Sequence, residues 1–414
     1  MRISSSQFFQ TGLNSINAQQ ADLMHIYQQI ASGQRMVTPA DDPLGAAQAI
    51  NIAQSQTLNQ RFADNRGVAT QNLGTEDNVL GSATTLMQNI KTQLIQAGNG
   101  TLSDADRATL ANVLTEAKAS LLGLANSTDG NGQYMFSGFK GDTMPYVTDP
   151  VTGKVTYTGD TNQRLIQIDP TRQMAGSDVG SDIFARAVPG MRVYVTTGDP
   201  ANTGTAQINT PTITNPAGSN VGNSFKITFS AGSPLQYQVD TTDATTGVTS
   251  SATFPYQAGG TVLDLTGGVQ VQFSGDPKPG DTFTVSPGNA GNLDVFGTLD
   301  DMITALNKPV NGNDTASANL GNSLSTAIQK FNASYDNLLT VRASVGSRMN
   351  EIDALNANGT ARGLGYASQL STLENVDYYS ATTQLQLRQS ALQAASLAFK
   401  QIQGTSLFNT GSSG

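Results

Sequence analysis

The side chains of this chain that could do chemistry are few and poorly spaced for it. Its single histidine, His25, lies in a helical repeat, and the sequence has no cysteine. One imidazole without a thiolate or a second histidine cannot build a zinc site or a Ser/His/Asp relay, so a surface or seam position is expected. Asp41 and Asp42 are adjacent carboxylates of the type used in acid/base work, but Pro43 directly after them fits a helix-capping turn better. Asp129 and Asn131, among glycines, faintly resemble a calcium loop that lacks its later oxygen ligands and closing glutamate. The Asn-x-Ser/Thr triplets at Asn126, Asn313, Asn332 and Asn358 would matter only in a eukaryotic secretory setting. Tyr157, Tyr194, Phe225, Tyr237 and Phe273 read as core rather than as a sugar-binding platform. No catalytic residue, metal or cofactor is expected, and an enzyme is the least favoured class.

Composition narrows the partners. The 414 residues leave room for two or three domains, at roughly 150 residues each. Charged residues make up 13%, about half the usual share, so the surface is polar but weakly charged. With 22 basic against 31 acidic residues the net charge is −9, and no dense basic run could neutralise phosphates, which argues against nucleic acid. No window approaches the ~18 consecutive apolar residues of a membrane span, so no membrane insertion is expected. The N-terminal MRISSSQFFQTGLNSINAQQ lacks the apolar core of a signal peptide, so any export is expected to retain it.

The elements that must position these residues follow from periodicity. Leu13, Ile16, Leu23, Tyr27 and Ile30 alternate in steps of three and four, with Gln20 in the remaining slot: a heptad seam. Gly33 suits the end of that helix, and Asp42 and Pro43 suit the start of the next, near Leu44. This second helix runs to about Gln96. A third opens at Ser103, where Asp106 makes a variant capping box. Between residues 141 and 290 the period changes to two, in KVTYT (154–158), RVYV (192–195), FKITF (225–229), VQVQF (269–273) and DTFTVSPG (281–288), which predicts antiparallel strands. The stretch 197–223 reads as a long surface loop. Helical spacing returns at Leu293, predicts one helix over 314–357, and ends with a helix carrying Leu385, Leu392, Phe399 and Ile402. A milder stripe of Leu387, Ala391, Ala394 and Ala398 flanks that face, and two apolar faces predict a helix that touches more than one partner. The fold class is therefore α+β: a long antiparallel coiled coil or helical bundle from the N- and C-terminal regions, with an inserted antiparallel β-domain.

Four segments in this order resemble the flagellin superfamily, and within it the proteins of the hook-filament junction. They are ASGQRMVTPADDPLGAAQA (31–49), NSTDGNGQYMFSGFKGDTMPY (126–146), VGSRMNEID (345–353) and SALQAASLAFKQIQGTSLF (390–408). Pro43 favours the junction branch over filament flagellins, which usually carry Asp-Asp-Ala-Ala-Gly there; Ala31 and Ala40 stand where serine is common. The resemblance implies a structural adaptor, outside the bacterial cell, joining hook to filament and exported through the flagellar type III route. It implies as partners copies of the chain itself, the preceding hook-associated protein, flagellin, and a dedicated export chaperone on the C-terminal helix. The expected domains are 1–43 plus 360–414 for terminal coiled-coil assembly, 44–140 plus 291–359 for a helical bundle, and 141–290 for a β-rich outer domain. The expected assembly interface is Leu13, Ile16, Leu23, Tyr27, Ile30, Leu385, Leu392, Phe399 and Ile402, with Gly33, Arg35, Asp41, Asp42 and Pro43 as the helix-break and cap motif. One amphipathic hairpin with open seams cannot offset its own ordering entropy, so neighbours are expected to complete its order. Two other readings are a filament-forming flagellin and a β-domain adhesin carried on helical stalks.

Overall fold

The computed structural model describes residues 5–189, 193–257, 262–265, 267–288 and 293–410, apart from the side chains of residues 5, 6, 8 and 402–410. Seven helices appear among them: α1 (Ser5–Ser32), α2 (Pro43–Ala97), α3 (Asp104–Ala125), the short α4 (Gly180–Phe184), α5 (Val295–Leu306), α6 (Asp314–Glu374) and α7 (Tyr378–Thr410). The strands are β1 (Tyr146–Thr148), β2 (Val155–Tyr157), β3 (Leu165–Asp169), β4 (Arg172–Ala175), β5 (Tyr194–Gly198), β6 (Gln207–Ile208) and β7 (Thr212–Ile213). They continue as β8 (Ser224–Ser230), β9 (Gln236–Thr242), β10 (Thr249–Pro255), β11 (Val262–Asp264), β12 (Val269–Ser274) and β13 (Thr282–Pro287). The chain forms two compact units, Met1–Asp64 with Ala354–Gly414, and Asn65–Asp353. Helices α2 and α6 contribute residues to both.

In the first unit α1 and α7 pair antiparallel, since the start of α1 meets α7 near Phe399 while the later Asp22 and Tyr27 meet Arg388 and Gln389, nearer the start of α7. The Phe9 and Phe399 ring centroids are 5.0 Å apart, and Arg388 Nη1 lies 2.7 Å from Asp22 Oδ2. Further along, Gln389 Nε2 donates to Tyr27 Oη at 2.9 Å. The parts of α2 and α6 in this unit also meet: Asn59 Nδ2 donates to the Gly359 carbonyl at 2.9 Å. Helix α6 is longer than the predicted 314–357, running unbroken to Glu374. Asn358 and Gly359 are poor helix formers, but propensities of a few tenths to about 1 kcal/mol yield to packing along α2.

In the second unit, β5, β8, β9, β10 and β13 make a five-stranded antiparallel sheet in the order β10-β9-β8-β13-β5. The second sheet has the order β11-β12-β6, with β7 also on β12. Phe225, Ile227 and Phe229 alternate inward along β8 and share one core with Leu263, Val271 and Phe273 of the second sheet. The hairpins β1–β2 and β3–β4 stand apart from this sandwich. The expected loop over 197–223 is partly strand, because β6 and β7 satisfy their backbone on β12. The expected strand at 192–195 starts at Tyr194, and Arg192 lies outside the described residues. Helix α4, inside the region read as strands, had no period long enough to be seen.

Amide side chains of α6 join the sandwich to the helices. Thr196 N donates to Gln329 Oε1 at 2.8 Å, Ile208 N donates to Asn322 Oδ1 at 2.9 Å, and Asn322 Nδ2 returns a bond to the Ala206 carbonyl at 3.0 Å. These buried amides satisfy the edge of β5 and β6, where unpaired N–H and C=O groups would each be costly. Ser103 and Asp106 form a reciprocal capping box at the start of α3, as their spacing predicted, and Asp294 caps α5.

Candidate assembly interface

The α1–α2 turn is built from the cap motif. Gly33 follows the last residue of α1 at φ 71°, a left-handed conformation that glycine adopts without penalty. A Cβ there would also lie 3.1 Å from Tyr378 Oη. The chain then crosses the α6–α7 turn: Arg35 N donates to the Glu374 carbonyl at 2.6 Å, and Val376 N donates to the Gly33 carbonyl at 3.0 Å. Arg35 Nε adds a bond to the Leu373 carbonyl at 3.0 Å. The last carbonyls of a helix have no intrahelical donors; here those of α6 receive them from a turn more than three hundred residues away in sequence.

The same guanidinium reaches Asp42 Oδ2 at 3.0 Å, while Asp42 Oδ1 accepts from Gly45 N at 2.9 Å. Asp42 is thus the N-cap of α2 and Pro43 its first helical residue. The Gly45 N–H first, then Arg35, hold the Asp42 carboxyl below the usual carboxylate range. Asp41 accepts from Val37 N at 2.9 Å and Thr38 N at 2.8 Å, and the Thr38 N–H above all pulls its carboxyl down to about 2. Both carboxylates are therefore ionised and committed to backbone N–H groups, which suits a cap and not acid/base chemistry. His25 Nε2 lies 3.0 Å from Asp41 Oδ1, an ion pair whenever the imidazole is protonated. Nothing in the spacing announced this contact, because a helix and a turn supply the two partners.

The heptad residues are spread over the α1–α7 pair. Ile16, Leu23 and Ile30 are half-buried, while Leu13 and Tyr27 are exposed. Among the described side chains of α1 the buried one is Ile26, absent from the predicted seam. Its place three residues after Leu23 and four before Ile30 was the available signal, and the reading through Tyr27 passed over it. On α7, Leu385, Leu392 and Phe399 recur every seven residues and are half-buried; the Ile402 side chain lies outside the described residues. Gly12 lets the helices approach closely, since a Cβ there would stand 2.9 Å from the Phe399 ring. Of the flanking stripe of α7, Leu387 is 67% exposed and Ala394 and Ala398 are exposed, while Ala391 is half-buried; Leu397, outside the predicted stripe, is also open at 66%. Met24 of α1 is likewise open, at 59%. The pair therefore buries one apolar face and leaves a second without cover among the described residues.

The remaining sites suggested by residue type have structural work. Asp129 Oδ1 accepts from Asn131 N at 2.8 Å and Gln133 N at 3.0 Å, forming a turn that occupies the oxygen a cation would need. Among the described residues no group of three His, Cys, Asp or Glu could hold a metal ion, and no helix is long and apolar enough to cross a membrane.

Residues 3–140 match the family described as the bacterial flagellin N-terminal helical region. The flagellar hook-associated protein 3 of Salmonella typhimurium is 29% identical over 408 residues, covering 99% of this chain and 99% of that protein. The crystal structure of hook-associated protein 3 from Legionella pneumophila has a TM-score of 0.68 at 28% identity, covering 78% of this chain and 98% of that one. FlgL of Xanthomonas campestris has a TM-score of 0.66 at 28% identity, covering 77% and 99%. A shared fold at two independent structures, end-to-end alignment and the cap motif at its expected place agree: this chain is homologous over its whole length to flagellar hook-associated protein 3, a junction protein of the bacterial flagellum, and its homologues are structural flagellar proteins and not enzymes.

Proposed function

We propose that this protein joins hook to filament by self-assembly of its terminal helices, after export through the flagellar type III route. The observation that carries the reading is the outward apolar face of α7, formed by Leu387, Leu397, Ala394 and Ala398, with Met24 of α1 also exposed. Covering one leucine stabilises by roughly 1.5–3 kcal/mol, and a repeating head-to-tail contact multiplies that gain around a ring or helix. Neighbouring copies, the preceding hook-associated protein and flagellin are the partners that such a face meets in a tube of related subunits. Before assembly the same face needs a cover, which is the role of a dedicated export chaperone on α7. In this reading residues 1–43 with 360–414 assemble, 44–140 with 291–359 form a supporting bundle, and 141–290 project outward.

The test is electron microscopy and medium analysis of a strain lacking the protein. Hooks without filaments, with flagellin released to the medium, are the expected result. Normal filaments in that strain would contradict the proposal, and long filaments grown from the purified chain alone would favour a filament subunit instead.

A further inference from the structure

The β3–β4 hairpin lies between α2 and α6, held by polar side chains from both. From α2, Asn65 Nδ2 donates to the Gln167 carbonyl at 2.7 Å and Arg66 Nη1 to the Ile168 carbonyl at 2.9 Å. From α6, Arg348 Nη1 donates to the Ala175 carbonyl at 3.1 Å, and its Nη2 pairs with Asp178. Gln163 Nε2 holds the other Asp178 oxygen at 2.8 Å. At the centre stands Glu76 of α2, fully buried, with Oε1 accepting from Asp178 N at 3.0 Å. Its Oε2 has no donor among the described residues.

A fully buried carboxylate needs a cation or several donors, and Glu76 has one backbone N–H. The charged groups around it are Asp178, of like sign, and Arg348, already shared between Asp178 and a carbonyl. Asp77, next to Glu76 on α2, is engaged with Arg342 of α6 instead, at 2.8 Å. We infer that protonated Glu76, with Asp178 and Arg348, forms a proton-dependent lock that fastens the β3–β4 hairpin between α2 and α6. Losing the proton places a second negative charge beside Asp178 at a fully buried position, and the hairpin loosens.

Burial first, then the Asp178 charge, push the Glu76 carboxyl from its ordinary 4.5 up to about 8. A group with a raised folded value contributes stability that is whole below its unfolded value and is lost as pH rises through the folded one. The lock therefore weakens between about pH 4.5 and 8. Hydrogen exchange of the full-length chain, corrected for intrinsic rates, tests this. Protection of segments covering 164–178 should fall at least about tenfold from pH 6 to pH 9, with β8 and β9 unchanged, and Glu76→Gln should abolish that fall. An equal fall in wild type and Glu76→Gln, or none in wild type, overturns the proposal. If Glu76→Gln does not fold, Asp178→Asn decides: removing the neighbouring charge should move the fall to lower pH, and an unmoved midpoint overturns the lock.

Discussion

At Gly33 the backbone stands at φ 71°, and a side chain there would meet Tyr378 Oη as well as the strain of a left-handed residue. Gly33→Ala should therefore destabilise the first unit by about 1–2 kcal/mol, read as a shift in the denaturant midpoint of the helical signal. Arg35→Ala removes donors to the Leu373 carbonyl and to Asp42. Because this side chain is 44% exposed, a loss of about 1 kcal/mol is expected, with faster proteolysis over residues 33–42 as the measurement. The cap itself was legible, since an aspartate followed by proline states both the N-cap and the first turn. The partners of Arg35 on α6 were not: they are carbonyls at Leu373 and Glu374, and a backbone carbonyl leaves no mark in a sequence. The pairing of His25 with Asp41 was hidden for a related reason, since only the folded turn brings them to 3.0 Å.

Helices showed their existence through period but not their allegiance. The repeat of Leu385, Leu392 and Phe399 and the flanking stripe of Leu387 and Ala394 were both visible on α7. Which face pairs with α1 and which stays open follows only from the contact of Phe399 with Phe9 and from the exposure of Leu387. The two faces give opposite predictions for stability and the same one for assembly. Leu392→Asp, in a half-buried position, should destabilise the α1–α7 pair by about 1–3 kcal/mol, whereas Leu387→Asp should stay within about 0.5 kcal/mol of wild type. Both should prevent junction assembly. Thermal melts of the purified proteins and filament counts in complemented cells separate these effects, and normal filaments with Leu387→Asp would remove the outer face from the account. The length of α6 was under-read because asparagine and glycine near residue 358 weigh against helix locally, while pairing with α2 supplies the compensation.

Over the whole molecule, the helix-strand-helix order and the alternation of Phe225, Ile227 and Phe229 announced a β insertion between helical ends. Sheet order was not accessible, because β5 pairs with β13 and β6 with β12 across long stretches of chain, and register between such strands is set by the shared core. Attachment of that insertion through α6 amides was equally silent. Gln329→Ala should strand the Thr196 N–H in a buried site, lowering the stability of the second unit by about 1–3 kcal/mol, measured by its thermal midpoint. The central claim is that the outward stripe of α7 becomes covered by neighbouring subunits. A chain without native cysteine allows a single thiol to report on this. In Leu397→Cys, maleimide labelling should be rapid in the purified protein and strongly suppressed in assembled flagella; equal labelling in both would contradict the account.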